Sequence, residues 1–413
     1  MRRGPWRTSG RTWAMPRRAA ITFFWRPVCG PRAESTGRPT EDAMIVMLEP
    51  DSPESTVAAV LQAASQYKGV NPRTHVIEGA EHTVTEIYLL GPTAQVPVEV
   101  FEQIPGVRQV VRVSEKYRVI GRHGGKRETA GFEYNGITFD ERSVNLFAGL
   151  CAVDTRESVD TMMAALARCG IRTTRMGAYK PRTSPYEFQG LGASCLPWVF
   201  ELAGKHGVKV VAMEVTNPRH IDEIRSALES SGNATGVMLQ VGTRNAQNFE
   251  LLKQIGQQRV FPVLFKRGMG ITLEESLNAC EYVASEGNPK IVFCLRGVKT
   301  HLGDPHRNMV DFAHVPVVRR LTRLPVCVDP SHAVGRSDAG PDGMPDIFHS
   351  IGQGLIAGAS MVLVDFHPHP EQALCDGPQA LRLEQLPALQ RYTNIVREAY
   401  EQAVRNGPGL TPS

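Results

Sequence analysis

The eight cysteines of this chain (29, 151, 169, 195, 280, 294, 327 and 375) include no C-x-x-C pair. A chain of 413 residues buries enough core to do without disulfide staples, so scattered cysteines place it in a reducing cytoplasm and make most of them, such as Cys327 in PVCVDP, small core residues. Apolar runs long enough to cross a bilayer are also missing, because every run is strand-length and interrupted by polar residues. Nor is there a basic surplus in the body of the chain. Residues 1–43 hold nine Arg, no Lys and three acids, which leaves 37 basic against 39 acidic residues elsewhere, so the net charge of +4 belongs to the leader. That balance argues against a nucleic-acid partner, which would call for a basic stripe within a domain.

Length and composition fit two domains. At 42% hydrophobic and 21% charged residues, the chain matches a soluble protein with a barrel of about 250 residues plus a smaller module. Residues 1–43, rich in Arg, Pro and Gly without periodicity, are expected to be a disordered leader or a mis-assigned start. The strand-like MIVML opening at Met44 favours the second. From there the pattern runs strand, helix, strand, strand, helix, strand across 44–115, a βαββαβ order of the ferredoxin-like kind that buries one sheet face under two helices. A linker and barrel lead-in over 116–142 follows.

Eight short apolar runs then alternate with helical stretches through 143–408: Leu146–Cys151, Thr173–Gly177, Val208–Val215, Gly236–Val241, Phe261–Lys266, Ile291–Arg296, Pro325–Asp329 and Met361–Phe366. Such repetition predicts an α/β fold, a (β/α)8 TIM barrel preceded by the small domain. Active-site residues of this architecture lie at the C-terminal strand ends. In order these are Cys151; Arg175 with Lys180 and Arg182; Glu214; Arg244; Lys266; Arg296; Asp329 with His332; and Asp365 with His367, while Asp376 lies in the loop beyond. Five or six cations at one mouth repel one another unless anions neutralise them, so the substrates are expected to be multiply anionic. Cys151, His332, Asp365 and Asp376 form a mixed S/N/O set suited to Mn²⁺, Fe²⁺, Co²⁺ or Zn²⁺. Taken singly, each has a plainer reading as packing, a turn cap or a surface ion pair.

The stretches GAYKPRTSPYEFQGLG (177–192), GTRNAQNFELLK (242–253), LFKRGM (264–269), CLRG (294–297), VDPSHAVGR (328–336) and DGPQAL (376–381) resemble 3-deoxy-D-arabino-heptulosonate 7-phosphate (DAHP) synthases of the type I class with an N-terminal ferredoxin-like regulatory domain. The resemblance implies condensation of phosphoenolpyruvate with erythrose 4-phosphate to give DAHP and phosphate, the first step of the shikimate pathway. It implies that Arg175, Lys180, Arg244, Lys266 and Arg296 hold phosphoenolpyruvate, and that Arg182, Thr183 and Ser184 grip the aldose phosphate. Lys180, Glu214 and His332 become the catalytic candidates, with Lys180 as an acid and Glu214 orienting the cations or managing a water. Cys151, His332, Asp365 and Asp376 would hold the metal. A Tyr or Phe effector on the small domain and a homodimer or homotetramer are implied as well.

Four residues, at three places, depart from the family pattern. Leu150 and Ala152 replace a Pro and a Ser around Cys151, Asp365 stands where the family has Glu, and Leu295 precedes Arg296 where relatives often have Glu. They keep two alternatives open: a paralogue using another aldehyde, and a non-catalytic aromatic amino acid sensor.

Overall fold

The computed structural model describes residues 43–78, 83–93, 96–112, 117–122 and 130–407. The expectation for 1–43 therefore lies outside the described residues, except that Ala43 opens the first strand.

The small domain comprises β1 (Ala43–Leu48), α1 (Glu54–Ser65), β2 (Asn71–Glu78), β3 (Thr83–Leu90), α2 (Glu99–Glu102) and β4 (Val107–Arg112). The sheet order is β2-β3-β1-β4, and every pair is antiparallel. Alternation along β1 and β3 turns Met44, Val46, Leu48, Ile87 and Leu89 to one face, where they pack on Val60 and Ala64 of α1 and Phe101 of α2.

The barrel follows as β7 (Asn145–Gly149), α3 (Arg156–Arg168), β8 (Thr173–Arg175), α4 (Leu196–Lys205), β9 (Val210–Val215), α5 (Arg219–Ser231), β10 (Gly236–Val241), α6 (Phe249–Gln257), β11 (Val263–Lys266), α7 (Leu273–Ser285), β12 (Ile291–Leu295), α8 (Val315–Leu321), β13 (Val326–Val328), α9 (Pro330–Val334), α10 (Asp346–Ile356), β14 (Met361–Asp365) and α11 (Leu386–Arg405), after a hairpin of β5 (Phe132–Tyr134) and β6 (Ile137–Phe139). All eight barrel strands are parallel, in the order β8 through β14 and then β7. The expected (β/α)8 architecture with a small preceding domain is what the chain adopts.

The seam between β7 and β8 closes differently from the others. One bridge, Leu150 to Met176, joins them, and two threonine hydroxyls supply the remaining bonds: Thr173 Oγ1 donates to Leu146 O (2.8 Å) and Thr174 Oγ1 to Ala148 O (2.7 Å). Gly149 is required here, since a Cβ would collide with the Arg175 carbonyl. The hairpin β5–β6 turns at Asn135-Gly136, both at positive φ (49° and 75°), as a tight two-residue turn needs. Ile137 and Phe139 pack with Phe147, Val210, Met238, Leu264, Val292 and Leu363 to fill the barrel interior. Within the lead-in over 116–142, the hairpin thus closes the floor of the barrel.

Candidate active site

Four of the eight strands, β7, β10, β12 and β13, stop one to three residues before the polar groups they deliver, while β8, β9, β11 and β14 carry Arg175, Glu214, Lys266 and Asp365 within the strand. β12 ends at Leu295, and Gly297 at φ 83° reverses the chain directly after Arg296. Its amide donates to Asp311 Oδ1 (2.8 Å). At β13 the following Asp329 caps α9, accepting from the His332 amide (3.1 Å). The same carboxylate holds His332 Nδ1 (3.0 Å) and Lys266 Nζ (2.5 Å), and it is held well below the usual carboxylate range because these cations outweigh its complete burial. With Nδ1 bonded to Asp329, Nε2 of His332 is left facing Cys151 Sγ (3.8 Å) and Asp376 Oδ2 (3.7 Å). Burial pulls the imidazole pKa down, but the Asp329 charge more than offsets it and holds the group up at about 9.

A cleft of about 290 Å³ opens over this floor, lined by Lys180, Arg182, Thr183, Glu214, Arg244, Lys266, Arg296, His332 and Asp376. Lys180 Nζ donates to Cys151 Sγ (3.1 Å) and lies 3.6 Å from Glu214 Oε2, whose other neighbour is Gln240 Nε2 at 3.3 Å. Burial opposes the lysine charge, yet Cys151 and Glu214 outweigh it and raise its pKa. Arg296 differs. It is buried, has no ion pair among the described residues, its Nε lacks a partner, and burial lowers its pKa. An unpaired buried guanidinium is costly unless an anion meets it.

Not every expected residue faces the cleft. Arg175 lies beneath it, 2% exposed, ion-paired to Asp365 and donating to Cys151 Sγ (3.5 Å). Ser184 turns into its own loop, where Oγ accepts from the Tyr186 amide (3.3 Å). Thr183 accepts from exposed Arg244 (3.2 Å), and Arg182 bonds Glu187 (2.7 Å) and Cys375 Sγ (2.7 Å). Lys299, Arg307 and Asn308 also line the cleft and were missed, because they arrive on the long loop after β12 and not at a strand end. Arg307 reaches Asp376 Oδ1 (3.1 Å) and Gln379 Oε1 (2.8 Å).

Beside the cations, ligand atoms of Cys151, His332, Asp365 and Asp376 lie within 4.8 Å of one another. Cys151 Sγ is 3.1 Å from Asp376 Oδ2. Donors bound to one ion at 2.0–2.3 Å stand roughly 3–4 Å apart, so the set fits a borderline divalent metal. Asp376 holds the left-handed conformation (φ 54°), which a short polar side chain tolerates. His332, Arg307 and Lys180 keep it charged despite burial.

The profile of the DAHP synthetase I family matches residues 129–402, and that of the DAHP synthase ferredoxin-like domain matches residues 44–115. The chain belongs to the DAHP synthetase I family. A Thermotoga maritima protein named phospho-2-dehydro-3-deoxyheptonate aldolase is 37% identical over 342 residues, covering 83% of this chain and 94% of the relative. The crystal structure of the T. maritima DAHP synthase superposes with a TM-score of 0.63 at 33% identity, spanning 87% of this chain and 98% of the other. A Geobacter sulfurreducens 2-dehydro-3-deoxyphosphooctonate aldolase is more distant, 25% identical over 60% of this chain and 90% of its own length. Family membership and the T. maritima relative support the expected condensation of phosphoenolpyruvate with erythrose 4-phosphate. No helix among the described residues is long and apolar enough to cross a membrane.

Proposed function

We propose that the cleft is where the chain condenses phosphoenolpyruvate with erythrose 4-phosphate in a metal-dependent reaction. The observation that carries the assignment is the unpaired Arg296, buried at the base of a cation-lined cleft next to an S/N/O donor group. In this reading Arg296, Lys266 and Lys180 hold the carboxylate and phosphate of phosphoenolpyruvate, with Arg175 fixing the floor. Arg244, Arg182 and Thr183 hold the aldose phosphate at the rim, and Ser184 shapes their loop.

Cys151, His332, Asp365 and Asp376 are the residues that would hold a divalent ion, Mn²⁺, Fe²⁺, Co²⁺ or Zn²⁺, which when bound polarises the aldehyde carbonyl. C3 of the enol attacks that carbonyl, and positive charge grows at C2 where water adds. Glu214, 3.6 Å from Lys180, orients that lysine and stands as the nearby base for the water proton. Lys180 delivers a proton to the forming alkoxide, and the cationic cradle then stabilises the departing phosphate.

The small domain is assigned as a feedback site for Tyr or Phe, and the chain as a homodimer or homotetramer in a reducing cytoplasm. Chelator-treated protein supplied with each metal in turn should release phosphate in step with DAHP. No product with any of the four ions would end the assignment. Equal rates for other phosphorylated aldoses would favour the paralogue reading, for which the shorter Asp365 and the altered residues at 150 and 152 are the grounds. Saturating Tyr or Phe should lower the rate.

A further inference from the structure

Lys180 stands on a loop five residues beyond the end of β8, whereas Glu214 lies within β9, so the 3.6 Å between them depends on how that loop is held. Two backbone bonds fold the loop on itself: the Lys180 amide donates to Gln189 O and the Gly192 amide to Ala178 O, both at 2.9 Å. Neither bond reaches β9. Side chains make that link.

Tyr179 is not among the residues lining the cleft. It is 7% exposed, and its ring lies flat on that of His220 in α5, with the planes within 10° of each other. Its hydroxyl donates to Glu223, three residues further along the same helix. His220 is buried as well, and burial lowers its pKa, which leaves Nδ1 free to accept from the amide of Thr216, two residues beyond Glu214 (3.3 Å). Aromatic rings left to themselves prefer offset or edge-on pairs, so a stack this flat, with centroids 3.6 Å apart, is one that the hydrogen bonds at its two ends impose. Contacts therefore run from Lys180 through its neighbour Tyr179, across the stack to His220, and into the backbone just past Glu214.

We propose that Tyr179 and His220 are positioning residues for the Lys180–Glu214 pair, their stack fixing the loop so that the ammonium meets the forming alkoxide. This rests on the acid role given to Lys180 above. A proton donor displaced by a fraction of an ångström loses rate steeply. Phosphoenolpyruvate is gripped by Lys266 and Arg296 too, which the stack does not touch, so its loss belongs in kcat and not in KM.

The test is steady-state kinetics of the full, Mn²⁺-loaded chain below its melting temperature. Tyr179→Leu and His220→Leu remove the stack and should each lower kcat roughly 30-fold, with KM for phosphoenolpyruvate unchanged. The double variant should fall no further than either single one, since both remove the same contact. Tyr179→Phe and His220→Phe keep the rings and lose one anchoring bond each, so kcat should recover to within about threefold of the parent. Leu variants with the parent's kcat, a KM that rises as far as kcat falls, or Phe variants no better than the Leu ones would overturn the assignment and leave the acid role of Lys180 standing. Should the Leu variants fail to melt cooperatively, Tyr179→Phe decides: a kcat equal to the parent's overturns it, and a few-fold loss at constant KM supports it. No DAHP from the unaltered chain would overturn both readings.

Discussion

Arg296 is where burial and charge conflict most openly. It is fixed by the turn at Gly297 and has only water or a ligand to satisfy Nε. Replacing it by Met should therefore act in opposite directions with and without substrate. The ligand-free chain loses an unpaired buried charge and gains on the order of 1 kcal/mol. Phosphoenolpyruvate loses charge-assisted bonds of about 1.5–3 kcal/mol, roughly a 10- to 100-fold weaker affinity. Thermal melts with and without phosphoenolpyruvate check this: Arg296→Met should melt higher than the parent alone and gain little from the ligand. A variant that melts lower yet is still raised by phosphoenolpyruvate would show that Arg296 is structural. The strand-end rule reaches Arg175 and Arg296 equally well, since both stand at equivalent positions in sequence. It cannot tell that Asp365 has already taken Arg175, because the partner lies 190 residues away and its own alternatives depend on packing.

Two elements carry the 177–192 loop. At its base Gly149 lets β7 and β8 approach, and on its outer side Tyr179 stacks on His220 of α5 with ring centroids 3.6 Å apart and donates to Glu223 Oε2 (2.5 Å). Gly149→Ala would force the seam open beside Cys151 and Arg175. An overpacking cost of about 1–3 kcal/mol and weaker metal retention are expected, read by denaturant unfolding and by dialysis against metal. His220 is acid-sensitive. Its Nδ1 accepts from the Thr216 amide (3.3 Å), and burial lowers its pKa below that of the unfolded chain. As pH falls through about 6.5 the unfolded chain takes up the proton first, so stability present above that pH is lost progressively below it. His220→Phe keeps the stack without the titration, so its stability should change less between pH 7 and pH 5 than the parent's. Equal losses in the two proteins would remove His220 from the account. The strands themselves were legible because both faces are apolar. Their ends were not, since runs such as Ile291–Arg296 continue into residues that leave the ladder for the mouth.

At the scale of the whole molecule the repeat of eight apolar runs made the barrel legible, while the floor was not, although Asn135-Gly136 between alternating apolar residues is a hairpin signal. A three-residue strand is too short to stand out, and its purpose appears only when the barrel above it has an open end. This yields a contrast between two shortened chains. The small-domain core, centred on Val46, Ile87 and Phe101, shares no residue with the barrel core. The segment from Tyr117 onward belongs to the barrel: Tyr117 and Ile120 lie in its core, and the amides of Val119 and Ile120 donate to Glu281 of α7 (2.8 and 3.1 Å). A chain beginning at residue 117 should therefore melt cooperatively and retain metal, while losing any response to Tyr or Phe. A chain beginning at residue 143 removes Ile137 and Phe139 as well. Losing Phe139 alone is worth about 3–5 kcal/mol, a large share of the roughly 5–15 kcal/mol that holds a folded domain together. That second chain should show no cooperative melt, and Phe139→Ala in the full chain should lower the melting temperature in the same direction. If the 143 chain instead melts like the 117 chain, the hairpin only decorates the barrel, and its interior contacts do not govern stability.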